Sequence, residues 1–157
     1  QQAQYLVHYL QPLTEGVAQM SKMLEKAMAF FDACETGKGW EGCKAYCDTD
    51  ATFSVQADAL AEINTLEAYC EWIKSLGPPI PDGRYELKCV GADEERNCVS
   101  VFAVFRGTHT GPGGPGEPTG NTCTTDYVYV MEFNGDAISH MTKIWNDAIC
   151  LRQLGWA

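Results

Sequence analysis

One carboxylate near the C-terminus could carry out acid–base chemistry: Asp147, which follows Trp145 and Asn146 at the end of a predicted strand. A carboxylate enclosed by apolar walls is poorly solvated, which raises its pKa and makes it a usable general base. Trp145 and Ile149 would supply part of such a wall. Two other uses of Asp147 stay open at this point. It could cap a helix formed by the next residues, AICLRQLG, or stand as an exposed surface charge.

His109 is the second candidate for catalysis. It lies on the same alternating face of its predicted strand as Phe105. If that face lines a pocket, the imidazole could bind a ligand or shuttle a proton. A histidine at a strand end could equally be half-exposed and only hydrogen-bonded. The other polar side chains expected to converge on the pocket are Asn146, Tyr127 and Tyr129.

Large aromatic side chains are numerous enough to form the walls of an apolar pocket. Those assigned to substrate binding, besides the polar residues above, are Phe53, Phe105, Trp40, Trp72 and Trp145. Aromatic residues at helix or strand spacing are also the usual content of a hydrophobic core. If Trp40, Trp72 and Phe53 fill the interior, no space is left for a substrate. Both interpretations stay open from the sequence.

Helices are predicted in the first half of the chain. Over residues 14–36 apolar side chains recur at spacings of 3, 4 and 7, with Thr14 as candidate cap and Gly37 at the end. The pattern then predicts, in order, a short helix over 40–47, a strand over 50–57, and a third helix within 64–79 that is capped by Asn64 or Thr65 and stopped by Gly77-Pro78-Pro79.

From residue 84 the apolar period changes to two, which is typical of strands. Two antiparallel hairpins are predicted, one pairing 84–92 with 97–109 and one pairing 124–133 with 137–146. The segments 99–106 and 127–133 are apolar on both faces and are therefore expected in the middle of the sheet. Helices would cover one face, and a second subunit the other. This order of elements predicts an α+β fold.

Length and charge limit the class of protein. The 157 residues suit a single domain over 1–157, and the formal net charge of -10 disfavours a nucleic-acid partner. No apolar run reaches the roughly 18–20 residues needed to span a bilayer. The first residues lack the features of a signal peptide. We therefore expect a cytoplasmic protein with no nucleic-acid or membrane partner.

The eight cysteines show no zinc-finger spacing. Cys43 and Cys47 could share a helix face, but two thiolates without further ligands make a poor metal site. We expect the cysteines to be small buried side chains in a reducing cytosol, with no metal bound. A disulfide between Cys89 and Cys98 across the first hairpin stays open.

A loop rich in glycine and proline, residues 107–121, separates the two hairpins. Its glycines are followed by a strand and not by a helix, so the loop is not expected to hold a phosphate. A long irregular loop of this kind is either a lid over a pocket or a segment that packs on a partner subunit.

Several short motifs, in order, resemble the SnoaL-like polyketide cyclase group of the nuclear-transport-factor-2-like superfamily. The motifs read RGTHTG, GEPTGN, YVYVMEFNGDAI and IWND followed by RQLG. The residues that carry the resemblance are His109, Gly111, Pro118, Thr119, Gly120, Ile138, Trp145, Asp147, Gln153, Leu154 and Gly155.

The resemblance implies a cone-shaped roll, in which three N-terminal helices pack on a strongly curved, mostly antiparallel sheet. It also implies a homodimer formed through the sheet and an apolar pocket inside each cone. In the cyclases a carboxylate on the last strand removes a proton next to a carbonyl, and the carbanion closes a ring by aldol addition. No metal or organic cofactor takes part. The implied ligand is a flat, largely apolar molecule that carries a carbonyl.

The resemblance leaves two residues for the position of the base. The family spacing from Ile138 reaches Asn146, and a bulge would bring Asp147 to the same inward position. With Asp147 inward, the chain is expected to be a cyclase-like or isomerase-like enzyme. With Asp147 as a cap, it is expected to be a small-ligand-binding or dimerisation module on the same fold.

Overall fold

The structure, a computed structural model, describes residues 18, 20 and 22–157. Thr14, the candidate cap of the first helix, lies outside these residues. Within them the helices are α1 (22–35), α2 (Gly39–Cys43), α3 (Leu66–Ser75) and α4 (Asp147–Leu154). The strands are β1 (Cys47–Val55), β2 (Arg84–Asp93), β3 (Cys98–Thr108), β4 (Thr122–Asn134) and β5 (Ala137–Trp145).

The five strands form one open sheet in the order β1-β5-β4-β3-β2. Strand β1 runs parallel to β5, and the other three pairings are antiparallel. Both predicted hairpins are present. The prediction that 99–106 and 127–133 lie inside the sheet is confirmed, because β3 and β4 each have a neighbour on both sides. The register shifts in three of the pairings, and such bulges bend a sheet.

The core lies between the helices and one face of this sheet. Along β4 the buried side chains alternate, and the inward set is Cys123, Thr125, Tyr127, Tyr129, Met131 and Phe133. Phe31 of α1 packs against Tyr85, Tyr127 and Tyr129. Tyr69 of α3 stacks on Phe53 of β1 with ring centroids 4.4 Å apart. The α+β roll expected from the resemblance is confirmed.

Helix α3 begins where the sequence places a cap. The Thr65 hydroxyl accepts a hydrogen bond from the Ala68 amide at 3.1 Å, which satisfies one of the free amides of the first turn. The helix ends at Ser75, before the Gly-Pro-Pro stop. Its buried residues are Leu66, Tyr69 and Cys70. The cap therefore fixes the position from which Tyr69 and Cys70 reach the interior.

All eight cysteines are free thiols. In the hairpin ladder Cys89 is opposite Phe102, and Cys98 is opposite Asp93. This register separates Cys89 from Cys98, so the disulfide considered from the sequence is not formed. Among the described helices, none has the length and apolar character required to cross a membrane.

Candidate functional site

A small, partly open space lies between the inner face of the sheet and helices α3 and α4. Trp72 and Leu76 form one wall, Tyr127 and Trp145 another, and Leu151 closes the side of α4. The cavity volume is about 50 Å³. That is room for a few water molecules, whereas ligand pockets commonly measure roughly 300–1,000 Å³. A ring-sized ligand can enter only if the walls separate.

A chain of four hydrogen-bonded side chains extends inward from this cavity. The Lys143 ammonium donates to the Tyr69 hydroxyl at 2.9 Å. Tyr69 is hydrogen-bonded to Tyr129, and Tyr129 donates to the Glu35 carboxylate. An ammonium can only donate and an ionised carboxylate can only accept, so all three bonds point from Lys143 to Glu35. We call these four residues the phenol chain.

Burial perturbs both ends of the phenol chain. Loss of hydration lowers the pKa of Lys143 to about 8, although the negative charge of Glu35 acts in the opposite direction. Loss of hydration also raises the pKa of Glu35. The Lys143 ammonium, the Tyr129 hydroxyl and, least strongly, the nearby Tyr127 hydroxyl oppose that rise. Two groups with perturbed pKa values beside one cavity are a common property of acid–base sites.

Aromatic rings surround the Lys143 ammonium. Its Nζ atom lies 4.3 Å from the centroid of Trp145 and 5.3 Å from that of Trp72. The rings of Tyr69 and Tyr127 lie within 5.5 Å. The negative faces of these rings attract a cation and partly replace its lost hydration. This explains how a side chain that is only 5% exposed can remain basic.

The Tyr127 hydroxyl differs from the other buried polar groups near the cavity. Among the described residues it is the only buried side-chain oxygen or nitrogen without a hydrogen-bond partner. Nearby, the Trp145 indole N–H donates to the Thr125 hydroxyl at 2.8 Å, so that pair is satisfied. An unpaired buried O–H is costly, and it is free to donate to a ligand oxygen in the cavity.

Lys143 and Glu35 were not predicted as site residues, although the sequence contains a signal for each. Lys143 alternates with Met141 and Trp145 along β5, which places it on the apolar inward face. Glu35 follows Phe31 by four residues on the apolar side of α1. A charged residue in an apolar stripe is the signal that could have identified both.

The structure places Asn146 and Asp147 at the start of α4. The Asn146 side chain accepts from the Ile149 amide at 3.3 Å and is the N-cap. Asp147, the first helical residue, accepts from the Ala59 amide at 2.8 Å and from the Ala148 amide at 3.0 Å. The helix cap that was considered for Asp147 therefore belongs to Asn146.

Asp147 is not one of the residues that line the cavity. It lies beside an open depression on the outer face of the sheet, together with Phe102 and Ile144. Its carboxylate connects α4 to the turn at Asp58–Leu60 by accepting the Ala59 amide. Its role as a base stays a prediction. Asp147 makes no hydrogen bond with any of the four residues of the phenol chain.

His109 is fully buried, but in the loop and away from the phenol chain. Its Nε2 is 2.9 Å from the Gly113 carbonyl oxygen, to which only an N–H can donate. Its Nδ1 accepts from the Trp156 indole at 2.9 Å and from the Thr119 amide at 3.3 Å. Both ring nitrogens are thus engaged in holding the 107–121 loop against the C-terminus.

The predicted substrate-binding aromatics fall into two groups. Trp72, Phe105, Tyr127 and Trp145 line the cavity. Tyr129 is one layer deeper, within the phenol chain. Phe53 is a core residue, and Trp40 packs on the edge of that core. The interior is therefore partly filled by aromatic residues, yet an aromatic cage with a cation inside it is left at the end near α4.

Chemically, the arrangement offers a carboxylate with a raised pKa, an ammonium of lowered pKa, and one free O–H donor around an apolar space. A carboxylate of this kind can remove a weakly acidic proton. The two donors can stabilise an oxygen on which negative charge develops. No metal-binding group of three or more side chains lies at this cavity within the described part of the chain.

Solved structures with the same fold differ widely in sequence from this chain. A candidate SnoaL-like polyketide cyclase from Jannaschia sp. CCS1 is 13% identical, with a TM-score of 0.71 over 88% of this chain and 94% of that one. IdmH, a candidate polyketide cyclase from Streptomyces antibioticus, is 17% identical, with a TM-score of 0.66 over 83% and 96%. An epoxide hydrolase of the LEH-like type from M. tuberculosis is 10% identical, with a TM-score of 0.61 over 87% and 91%.

These identities are low, so the three structures establish the fold and leave the reaction open. No curated protein matches the chain in sequence. The profile of the SnoaL-like domain matches residues 8–141, which is most of the chain. The match includes α1 to α3 and the strands up to the first half of β5. The chain therefore belongs to the SnoaL-like domain family.

Proposed function

We propose that the chain is a small-molecule enzyme that removes a proton next to a carbonyl, with Glu35 as the general base. The observation that carries this proposal is the unpaired Tyr127 hydroxyl beside Glu35 and Lys143 in an aromatic cavity. A carbonyl oxygen is the acceptor that this hydroxyl lacks. The proposal keeps the reaction class expected from the sequence and moves the base from Asp147 to Glu35.

The proposed reaction starts when the Glu35 carboxylate takes a proton from the carbon next to the carbonyl. The electron pair moves to the carbonyl oxygen and gives an enolate. Tyr127 and Lys143 donate hydrogen bonds to that oxygen as its charge develops. The enolate carbon then attacks a second carbonyl of the same molecule, and the alkoxide that forms takes the proton from Glu35. Alternatively, the enolate takes that proton back at another carbon. The first outcome is an aldol cyclisation and the second an isomerisation.

The ligand that fits this site is flat and largely apolar. The walls are mostly aromatic, and the charged groups lie at one end. Because the cavity measures only about 50 Å³, binding requires α4 or the loop against it to move. The loop is anchored to Trp156, which lines the cavity, so it is placed to act as the lid considered from the sequence.

The test uses indanone, a flat aryl ketone, as the probe in deuterium oxide. Proton NMR should show loss of the hydrogens next to the carbonyl faster with the protein than without it. The Glu35→Gln variant should slow this exchange by at least about 100-fold, because an amide cannot act as the base. Glu25→Gln, on the exposed part of the same helix, is the matched control and should exchange like the native chain.

A second candidate function is binding of a small ligand without catalysis. It is favoured by the phenol chain, whose members satisfy one another without a ligand. Tryptophan fluorescence reports ligand binding, because Trp72 and Trp145 line the cavity, and the exchange measurement reports catalysis. Quenching by indanone with no exchange above background would establish binding alone and overturn the enzymatic proposal.

We also propose that two copies pair through the outer face of the sheet. Phe102, Val128 and Ile144 are directly opposite one another on β3, β4 and β5. Phe102 is 37% exposed and Ile144 is 60% exposed, so the row is an apolar strip facing water. Light scattering should give a dimer for the native chain and a monomer for Ile144→Lys. The control Ile149→Lys changes an exposed residue of α4 and should stay dimeric.

The cytoplasmic location expected from the sequence is retained as part of this proposal. It is supported by the eight free thiols, which persist in a reducing compartment.

A further inference from the structure

Three buried cysteines from three different helices meet beside the phenol chain. Cys34 is near the end of α1, Cys43 is the last residue of α2, and Cys70 lies in the middle of α3. Each is 0% exposed. Their Sγ atoms all lie within 4.8 Å of one another, and no two of them are joined by a disulfide. We call these residues the thiol cluster.

The three cysteines are far apart in sequence, so only the tertiary structure brings them together. Cys34 and Cys43 are brought together by the short turn between α1 and α2. Gly37 in this turn and Gly39, the first residue of α2, are both in the left-handed region. Cys70 is supplied by a helix that follows β1. Cys47, whose spacing from Cys43 allowed the two to share a helix face, donates its thiol to the Cys43 carbonyl oxygen at 3.6 Å.

The donor set is chemically selective. Three sulfur atoms are soft ligands, which favour Cu(I) and Zn(II) over Mg(II) or Ca(II). Within the part of the chain that the structure describes, neither a histidine nor a carboxylate completes the group.

We propose that the thiol cluster binds one thiophilic metal ion with a filled d shell, Zn(II) or Cu(I). Binding replaces the thiol protons by metal–sulfur bonds, and the protons pass to solvent. With Zn(II), three thiols lose three protons and the bound group carries one negative charge. The ion would join α1, α2 and α3 at one point, so its binding is coupled to the folding of these helices.

The site also adjoins two residues of the phenol chain. Glu35 directly follows Cys34, and Tyr69 directly precedes Cys70. Fixing the two cysteines therefore restricts the backbone from which Glu35 and Tyr69 reach the interior. The metal proposal does not depend on the proposed function, because it rests on the thiols alone.

The experiment uses the full chain with the exposed Cys89 changed to Ser, prepared reduced and without metal. Titration with Cd(II) should produce sulfur-to-metal charge-transfer absorption that saturates at one equivalent. Zn(II) and Cu(I) are then added separately, and at least one of them should displace Cd(II). At a metal concentration about 100 times Kd, Tm should rise by roughly 5–10 °C.

Two matched variants locate the ion. Cys43→Ala should lose the charge-transfer absorption and the rise in Tm. Cys123→Ala removes another fully buried cysteine, on β4, and should keep both. If Cys43→Ala does not fold, the number of Cd(II) ions bound by the parent protein and by Cys123→Ala still tests the proposal, which requires one ion for each. No saturation at one equivalent, or absorption lost in Cys123→Ala, would overturn the proposal. Displacement of Cd(II) by neither ion would overturn it as well.

Discussion

Two buried polar residues, Lys143 and His109, are both shielded from water, but their surroundings differ. Every hydrogen-bonding atom of the His109 ring is used by a neighbour from the loop or the C-terminus. Lys143 has one hydrogen-bond partner, a cage of aromatic rings, and the unpaired Tyr127 hydroxyl beside it. Both residues are therefore buried titratable groups, but of the two only Lys143 has unused hydrogen-bonding capacity beside it, next to a cavity.

This difference separates a structural role from a chemical one. A satisfied histidine fixes the conformation of a loop, and a ligand could not use it without breaking three hydrogen bonds. The Tyr127 hydroxyl near Lys143 can donate a hydrogen bond to a ligand without breaking an existing one. Four changes, taken from the largest expected effect to the smallest, test whether the two regions really differ in this way.

Replacing His109 with Phe should have the largest effect on stability. The change leaves the Gly113 carbonyl, the Thr119 amide and the Trp156 indole without their partner. We expect the free energy of unfolding to fall by about 2–4 kcal/mol, at roughly 1 kcal/mol or more for each lost bond. Urea denaturation measures the change. His109→Gln can still donate and accept, and should recover part of the loss.

If His109→Phe instead kept its stability and lost indanone exchange, the histidine would belong to the chemistry. The comparison with Lys143 would then be wrong.

The pH dependence of stability tests the Lys143 region. Lys143 has a folded pKa of about 8, below its ordinary value of 10.5. Between these two pH values the unfolded chain binds more protons than the folded one, so the contribution of Lys143 to stability rises with pH. It is lost as pH falls through the folded pKa. Relative to Lys143→Met, the native chain should gain about 1–3 kcal/mol across this window.

The measurement is urea unfolding of both proteins at several pH values in the window. The tyrosines and cysteines are common to the two proteins, so their titration cancels to first order in the difference. Lys88→Met, which removes an exposed lysine of β2, is the control and should show no such rise. If the difference in unfolding free energy between the two proteins did not change with pH, burial would not have lowered the pKa of Lys143.

Changing Tyr127 to Phe removes the unpaired hydroxyl and keeps the ring. Because that hydroxyl has no partner, the free energy of unfolding should change by less than about 1 kcal/mol. Exchange of indanone should slow by about 10-fold, since one donor to the enolate oxygen is lost. Unchanged exchange would show that the hydroxyl does not face the ligand, and would remove the main support for the proposed function.

Replacing Asp147 with Asn should have the smallest effect. The amide oxygen of Asn can still accept from the Ala59 amide, so stability should change by less than about 0.5 kcal/mol. Exchange of indanone should be the same as in the native chain. If this variant lost exchange while remaining folded, the base would be Asp147, as the sequence suggested, and Glu35 would have another role.

The fold was largely predictable because its signals are local. The change from helical spacing to a period of two reflects which face of each element is buried, and it located the hairpins and the inner strands. The Thr65 cap and the Gly-Pro-Pro stop set the length of α3 through the backbone itself. The parallel pairing of β1 with β5 was not predicted, since these strands are far apart in sequence and no local pattern records their contact.

The site was predictable only in part. Sequence and resemblance identified four aromatic residues that line the cavity, because such residues recur on the inward faces of strands and helices. They also pointed to Asp147 and His109. The Ala59 amide that binds Asp147 and the Trp156 indole that binds His109 come from distant segments, and no spacing in the sequence reveals these contacts. The helix cap is Asn146, one residue before Asp147, the residue considered as the cap from the sequence. Because of this difference of one residue, the Asn146 side chain caps α4 and the Asp147 side chain binds the Ala59 amide.

The sequence by itself determined the order of the elements, their inward faces and the family, because these depend on neighbouring residues. Only the tertiary structure decided which charged groups become partners. Lys143 and Glu35 are 108 residues apart, and Cys34, Cys43 and Cys70 belong to three separate helices. Hydrogen bonds and metal–ligand geometry depend on distances of a few ångströms, and those distances are fixed only when the sheet curves and the helices pack on it.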